Sequence, residues 1–231
     1  MKKSVAMLCA GVAVATVSTT SKAMDLGQNF YGKANVNLGY NLQGYQGELK
    51  DDIDDVKNMA DKTNSYNHGI TISGGYNVYY KLNKKLFDKT IHPFVGADVT
   101  VKIPVAGQKV IYIAPFPELD EEGNPTGEID DRAGTYKLGE YFMFHAKAGA
   151  KMEIVKDWAV SPYFMLGFNV MNLKMYDESK TKAGLSTGVG AEVLFKEKYS
   201  AAIEYRYTLN KFTNKKVETN NMMLKLGYHF L

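Results

Sequence analysis

Cysteine is almost missing from this chain: Cys9 is the single one among 231 residues. It lies in an apolar leader, so the remainder has no disulfide, no thiol nucleophile and no thiolate metal site. Long hydrophobic runs are missing as well. Beyond the leader no stretch reaches the roughly 18 uninterrupted apolar residues of a spanning helix, which excludes a helical membrane protein. Nor does one sign of charge dominate. The formal net charge is +3, and it falls to about zero once Lys2, Lys3 and Lys22 are set aside, so nothing points to nucleic acid as a partner. Proline is scarce at 6 residues, whereas tyrosine (16) and glycine (21) are plentiful.

The leader has the layout of an export signal. Lys2 and Lys3 precede an apolar stretch from Ser4 to Val17, and Ser21-Lys22-Ala23 supplies small residues where a signal peptidase reads them. Its about 14 apolar residues fall short of the roughly 20 that cross a bilayer as a helix. The pattern predicts a signal peptide over 1–23, cleaved after Ala23, and one domain over 24–231.

That domain is written in alternation. In the last twelve residues Met222, Leu224, Leu226, Tyr228 and Phe230 share one face, and Met223, Lys225, Gly227 and His229 the other. Seven earlier segments repeat the pattern. Their apolar sets run from Phe30 to Tyr40, Ile70 to Tyr80, Ile91 to Val101, Phe142 to Met152, Val160 to Val170, Leu185 to Phe195 and Ile203 to Leu209. Most of these runs reach the nine to eleven residues a tilted strand needs to cross hydrocarbon. The opposite faces carry Lys33, Asp98, Lys102, His145, Lys147, Lys151, Glu153, Glu192, Glu204, Arg206 and Lys225. A soluble sandwich would have to bury that polar face, at a cost only full pairing could offset. The apolar face must therefore look outward into lipid, and the sheet must close on itself so that every backbone N–H and C=O is paired. The expected fold is all-β: an eight-stranded antiparallel transmembrane up-and-down β-barrel with long extracellular loops and short periplasmic turns.

Spacer lengths alternate between long and short, which predicts a bacterial outer-membrane location with both termini periplasmic. The long spacers are Leu42 to Tyr66, Pro104 to Leu138, Leu173 to Lys182 and Asn210 to Thr219; Val155 to Trp158 and Lys196 to Tyr199 are tight turns. Phe30, Tyr79, Tyr80, Phe87, Trp158, Phe195, Tyr199, Tyr228 and Phe230 are expected in the girdle at the short-turn side. Tyr40, Tyr66, Tyr141, Phe142 and Tyr207 are expected in the other.

The Ala-Ile-Glu-Tyr-Arg-Tyr-Thr run at 202–208, the Pro-Phe-Val-Gly-Ala and Pro-Tyr-Phe-Met-Leu-Gly segments that begin at Pro93 and Pro162, and the terminal Leu-Gly-Tyr-His-Phe complete the picture. With the leader, they make the chain resemble the small eight-stranded outer-membrane barrels of the OmpA, OmpX and opacity-protein type. The resemblance implies a barrel that displays loops in the cell envelope. Its partners would be outer-membrane lipid and lipopolysaccharide, the barrel assembly machinery, and a host surface protein.

An eight-stranded barrel is just wide enough for its own side chains to fill. Buried charges must then pair, which predicts a lumen network of Glu204 and Arg206 with Glu192, Lys147 and Lys225. Inward glycine and serine leave room for a thin water path. Two spacers are acidic: Leu42 to Tyr66 carries Asp51, Asp52, Asp54 and Asp55, and Pro104 to Leu138 carries Asp120, Glu121 and Glu122. They suit basic host proteins or, at Asp120 to Asn124, a cation, although the acids lack the ligand spacing of a calcium loop. Ile53, Val56 and Ala60 are spaced as a short helical face, and Lys109 to Ile113 as a hairpin arm beyond the membrane. None of the four histidines has a serine at a recognisable strand spacing. The reading is therefore of a structural and surface-interaction protein, adhesin- or antigen-like, without catalytic, cofactor or metal residues. A narrow nonspecific porin-like channel is the alternative.

Overall fold

Alternation at period two has one structural consequence: each strand has an oily and a wet side, and burial of one fixes the register of all. The computed structural model describes residues 29–46, 66–82, 85–86, 89–105, 110–113, 116–119, 125–130, 133–175, 178–212 and 215–230. Eight long strands are β1 Phe30–Gln46, β2 Tyr66–Tyr80, β3 Lys89–Pro104, β4 Ala133–Val155, β5 Trp158–Met175, β6 Glu178–Phe195, β7 Tyr199–Phe212 and β8 Lys215–Phe230. Each pairs antiparallel with its chain neighbours, and β1 pairs with β8 from Ala34 opposite Phe230 to Gln46 opposite Glu218. That last ladder closes the barrel and removes every sheet edge from the hydrocarbon.

The oily side faces out. On β8 Leu224 and Leu226 are 58% and 71% exposed, whereas Met223 and Lys225 between them are 0% and 4% exposed. Phe164, Leu166, Val189 and Val95 continue the outer belt around the wall. At its short-connection margin stand Phe30 against Tyr80, Trp158 against Phe195, and Tyr199 against Tyr228, with ring centroids 4.9, 4.8 and 5.6 Å apart.

Several expectations need correction. Tyr79 does not join that girdle: its odd position on β2 turns it inward, where it is 1% exposed and stacks on Tyr31 at 5.0 Å. The spacers Leu173 to Lys182 and Asn210 to Thr219 are not loops of about ten residues. Lys174 still pairs with Ser179 and Lys211 with Lys216, so both ladders run nearly to their tips. Beyond the hydrocarbon both faces of a hairpin are wet, and alternation no longer marks the strand. The expected hairpin arm is present: 110–113 pairs with 133–136 of β4, and a further pair joins 116–119 to 125–130. Beside its polar residues the inward face buries Phe94, Met143, Met165, Met171 and Met223, the last as its parity on β8 implies. The expected aromatics Phe87, Tyr66 and Tyr141, and the helical face at Ile53, Val56 and Ala60, have no described side chains.

Candidate functional site: the barrel lumen

Strand parity gathers the ionic residues at mid-barrel. Asp98 on β3, His145 and Lys147 on β4, Ser186 on β6, Glu204 and Arg206 on β7 and Lys225 on β8 all sit on inward positions. Glu204 and Arg206 are two residues apart and so share a face. The guanidinium Nη2 approaches Glu204 Oε2 at 2.5 Å, and Lys225 Nζ reaches the same oxygen at 2.8 Å. Lys147 Nζ bridges Asp98 Oδ2 at 2.6 Å and Glu204 Oε1 at 3.5 Å, and Arg206 and Lys225 reach Asp98 at 3.6 and 3.8 Å. Tyr163 donates to Glu204 Oε1 at 2.7 Å. Every charge has an opposite neighbour, as a low-dielectric interior requires, since breaking such a pair costs about 3–5 kcal/mol.

Glu192 lines one small void together with Lys147, Glu204 and Lys225, and its direct partner is His229, whose Nε2 lies 3.0 Å from its Oε1. Asp98 joins the centre as well, and its signal was its parity on β3. Glu204, Arg206, Lys147 and Lys225 do lie within one set of contacts. The acidic residues Asp51, Asp52, Asp54, Asp55, Asp120, Glu121 and Glu122 lie outside the described residues. The same holds for residues 1–23.

A serine does stand beside a histidine. His145 Nε2 is 2.7 Å from Ser186 Oγ, and its Nδ1 is 3.6 Å from Asp98 Oδ1, a constellation that needs three strands and leaves no trace in local spacing. Two groups compete for Nδ1: Arg206 Nη1 at 3.2 Å can only donate to it, whereas Asp98 Oδ1 at 3.6 Å can only accept from it. With Arg206 as its partner, Nδ1 accepts and Nε2–H donates to Ser186. A general base must instead receive the serine proton at Nε2. All three side chains are buried.

Toward the short-connection mouth, the turn between β6 and β7 reaches back into the lumen. Lys198 N donates to Phe195 O at 3.1 Å, and Lys196 and Glu197 between them have φ of 51° and 59°, the left-handed pair of a type I′ turn. Glu197 then folds under the barrel and pairs with Lys33, and with Lys151 at 2.6 Å; both lysines are buried. The Lys151 ammonium also stands over the Tyr31 and Tyr79 rings at 5.4 and 5.6 Å. Burial raises the Glu197 carboxyl's pKa, but the hydrogen bond and charge of Lys151, followed by those of Lys33, outweigh it and hold the group at about 2.

Toward the opposite mouth hydroxyl and amide side chains take over, with Lys102 among them. Thr208 and Thr219 hydroxyls meet at 2.6 Å, Asn169 donates to Asn210 at 2.9 Å, and Lys102 donates to Gln43 at 2.6 Å. Rings occupy the space beside two inward glycines. A Cβ on Gly190 would lie 2.6 Å from Tyr163, and one on Gly149 would lie 2.8 Å from Phe94. Beside Glu204 and Lys225 a void of about 10 Å³ remains, at the threshold for one water molecule.

Among curated proteins none matches the chain. Solved structures similar to it include Ail, the attachment invasion locus protein of Yersinia pestis, at 15% identity over 86% of this chain and 99% of that one, with a TM-score of 0.38. Neisserial surface protein A is similar at 10% identity over 86% and 96%, with a TM-score of 0.45. The outer membrane enzyme PagL is similar at 12% identity over 82% and 97%, with a TM-score of 0.32. The family model described as the outer membrane protein beta-barrel domain matches residues 7–230, so a closed eight-stranded wall with an oily exterior and an ionic interior belongs here to a member of that bacterial outer-membrane family.

Proposed function

We propose that this protein is a plugged membrane scaffold whose work is done by its long connections, as a structural and surface-interaction protein of the adhesin or antigen type. The observation that carries this reading is the lumen. The Asp98–Lys147–Glu204–Arg206–Lys225 centre, the Glu197 bridge and the rings of Tyr163 and Phe94 occupy its length, and the void beside Glu204 is of one-water size. A hydrated ion needs a continuous wet path, which this filling interrupts.

In the proposed orientation, the short connections and both termini face the periplasm and the long connections face outward, as in bacterial barrels generally. Acidic residues of the long connections, Asp51 to Asp55 and Asp120 to Glu122, then meet basic surfaces of a host protein and keep clear of lipopolysaccharide phosphates. Neither the His145–Ser186 pair nor any other lumen group is assigned chemistry.

Two measurements test the proposal. Planar bilayers holding the purified barrel should stay silent; stable openings abolished by Glu204→Gln or Arg206→Met would replace the scaffold with a narrow pore. Cells displaying the protein should bind host extracellular matrix, and lose binding on deletion of residues 110 to 135. Equal binding by the deletion variant would remove the adhesive role.

A further inference from the structure

The short-connection rim carries an open concavity of about 910 Å³ between the turn at 155–158 and the turn at 195–199. Four lysines line it: Lys89, Lys156, Lys196 and Lys198. Lys89 is committed to the wall, because its Nζ donates to Ile154 O at 2.6 Å. The carboxylates there are Glu153, Asp157 and Glu197, of which Glu197 is turned inward to Lys33 and Lys151. Glu153 lies 3.4 Å from His92. Lys156, Lys196 and Lys198 are exposed and outnumber the carboxylates that remain to face them.

The same concavity borders the aromatic girdle. Trp158 and Tyr199 are part of its lining, Trp158 packs on Phe195 at 4.8 Å, and Lys196 Nζ stands 5.3 Å over the Phe195 ring. Trp158 is 46% exposed, Val155 62% and Tyr199 56%. An apolar wall thus runs from the hydrocarbon belt straight into a cationic cradle. Ammonium groups on flexible stems beside interfacial aromatics sit at headgroup depth.

We propose that this rim is a binding site for anionic phospholipid, with the headgroup phosphate among Lys156, Lys196 and Lys198 and the acyl chains against Trp158, Val155 and Phe195. A phosphatidylglycerol headgroup brings one net negative charge and hydroxyls. Phosphatidylcholine brings the same phosphate together with a quaternary ammonium that the lysines repel, so the cradle discriminates by charge. Its test does not depend on which leaflet the rim occupies, because a symmetric vesicle presents the same lipid to both ends.

The sole tryptophan of the chain gives a direct readout. The full-length mature barrel is refolded into phosphatidylcholine vesicles containing a small, equal fraction of brominated phosphatidylglycerol or brominated phosphatidylcholine. Trp158 fluorescence is then recorded. The anionic probe should quench as if enriched about threefold around Trp158, and added salt should erode the difference. In the Lys156→Gln, Lys196→Gln, Lys198→Gln triple variant, with strand content verified by circular dichroism, the two probes should quench alike. Equal quenching in the unsubstituted protein, or an enrichment that survives the triple substitution, overturns the proposal. So does loss of lipid quenching on adding soluble peptidoglycan fragments, which would give the cradle to the wall polymer.

Discussion

Arg206 shows how one side chain holds a lumen together. Its guanidinium serves Glu204, His145 and Asp98, groups that come from three strands. Arg206→Met removes the cation and leaves both carboxylates to two lysines, so the barrel should lose about 3–5 kcal/mol in urea unfolding from lipid vesicles. Arg206→Lys should recover part of that loss, since it restores charge without the planar fork. Ser186 makes a second, separable case. If it only accepts a hydrogen bond from His145, Ser186→Ala should cost about 1 kcal/mol, and a fluorophosphonate probe should label the unsubstituted protein no more than the variant. Labelling at Ser186 would show that the imidazole can act as a base after all. The charge centre was largely legible from sequence, because parity alone turns Glu204, Arg206, Lys147, Lys225 and Asp98 inward. The partner choice of Glu192 was not, because which inward side chains meet depends on the stagger between strands, and that is fixed only by closure.

At the scale of an element, the turn at 195–198 matters more than its length suggests. Two non-glycine residues in the left-handed region cost about 1 kcal/mol each, and the Glu197 bridge to Lys33 and Lys151 holds them there. Folded Glu197 binds its proton more weakly than the unfolded chain, with a pKa near 2 in place of 4.5. The stability it contributes is therefore complete above about pH 4.5 and is lost as the pH falls toward 2. Because the carboxylate is 37% exposed, screening reduces that contribution to on the order of 1 kcal/mol. Glu197→Gln should flatten the stability profile across that interval while leaving the slope above pH 5 unchanged; an unaltered profile would mean that the bridge is not formed in the membrane. Turn side chains such as this one have no period to report their direction, so Glu197 was invisible to a reading built on alternation. The hairpin tips at 174–179 and 211–216 escaped it for the related reason that water on both faces erases the pattern.

For the molecule as a whole, the height of the wall exceeds the thickness of the membrane. β4 has 23 residues, a contour of about 75 Å at roughly 3.3 Å per residue, and at a tilt of about 45° it rises some 50 Å against a hydrocarbon core of about 30 Å. The belt must end well below the tips of β4 to β6, and the exposed leucines provide a ruler for where. Leu224, four residues along β8 from Tyr228 at the short-connection girdle, is 58% exposed; Leu185, which stands level with Leu209 and Glu218 ten residues from that girdle, is 68% exposed and nearer the long connections. Similar exposure to solvent conceals unequal exposure to lipid. Arginine at the bilayer midplane of such a barrel costs about 2–4 kcal/mol, and near an interface about 0–1. Leu224→Arg should therefore destabilise the vesicle-inserted barrel by at least about 2 kcal/mol, and Leu185→Arg by less than about 1. Both penalties should shrink in detergent, whose thin and deformable shell follows the charge. If the two substitutions cost the same in vesicles, the belt is displaced along the barrel axis, and the rim of Lys156, Lys196 and Lys198 no longer sits at headgroup depth.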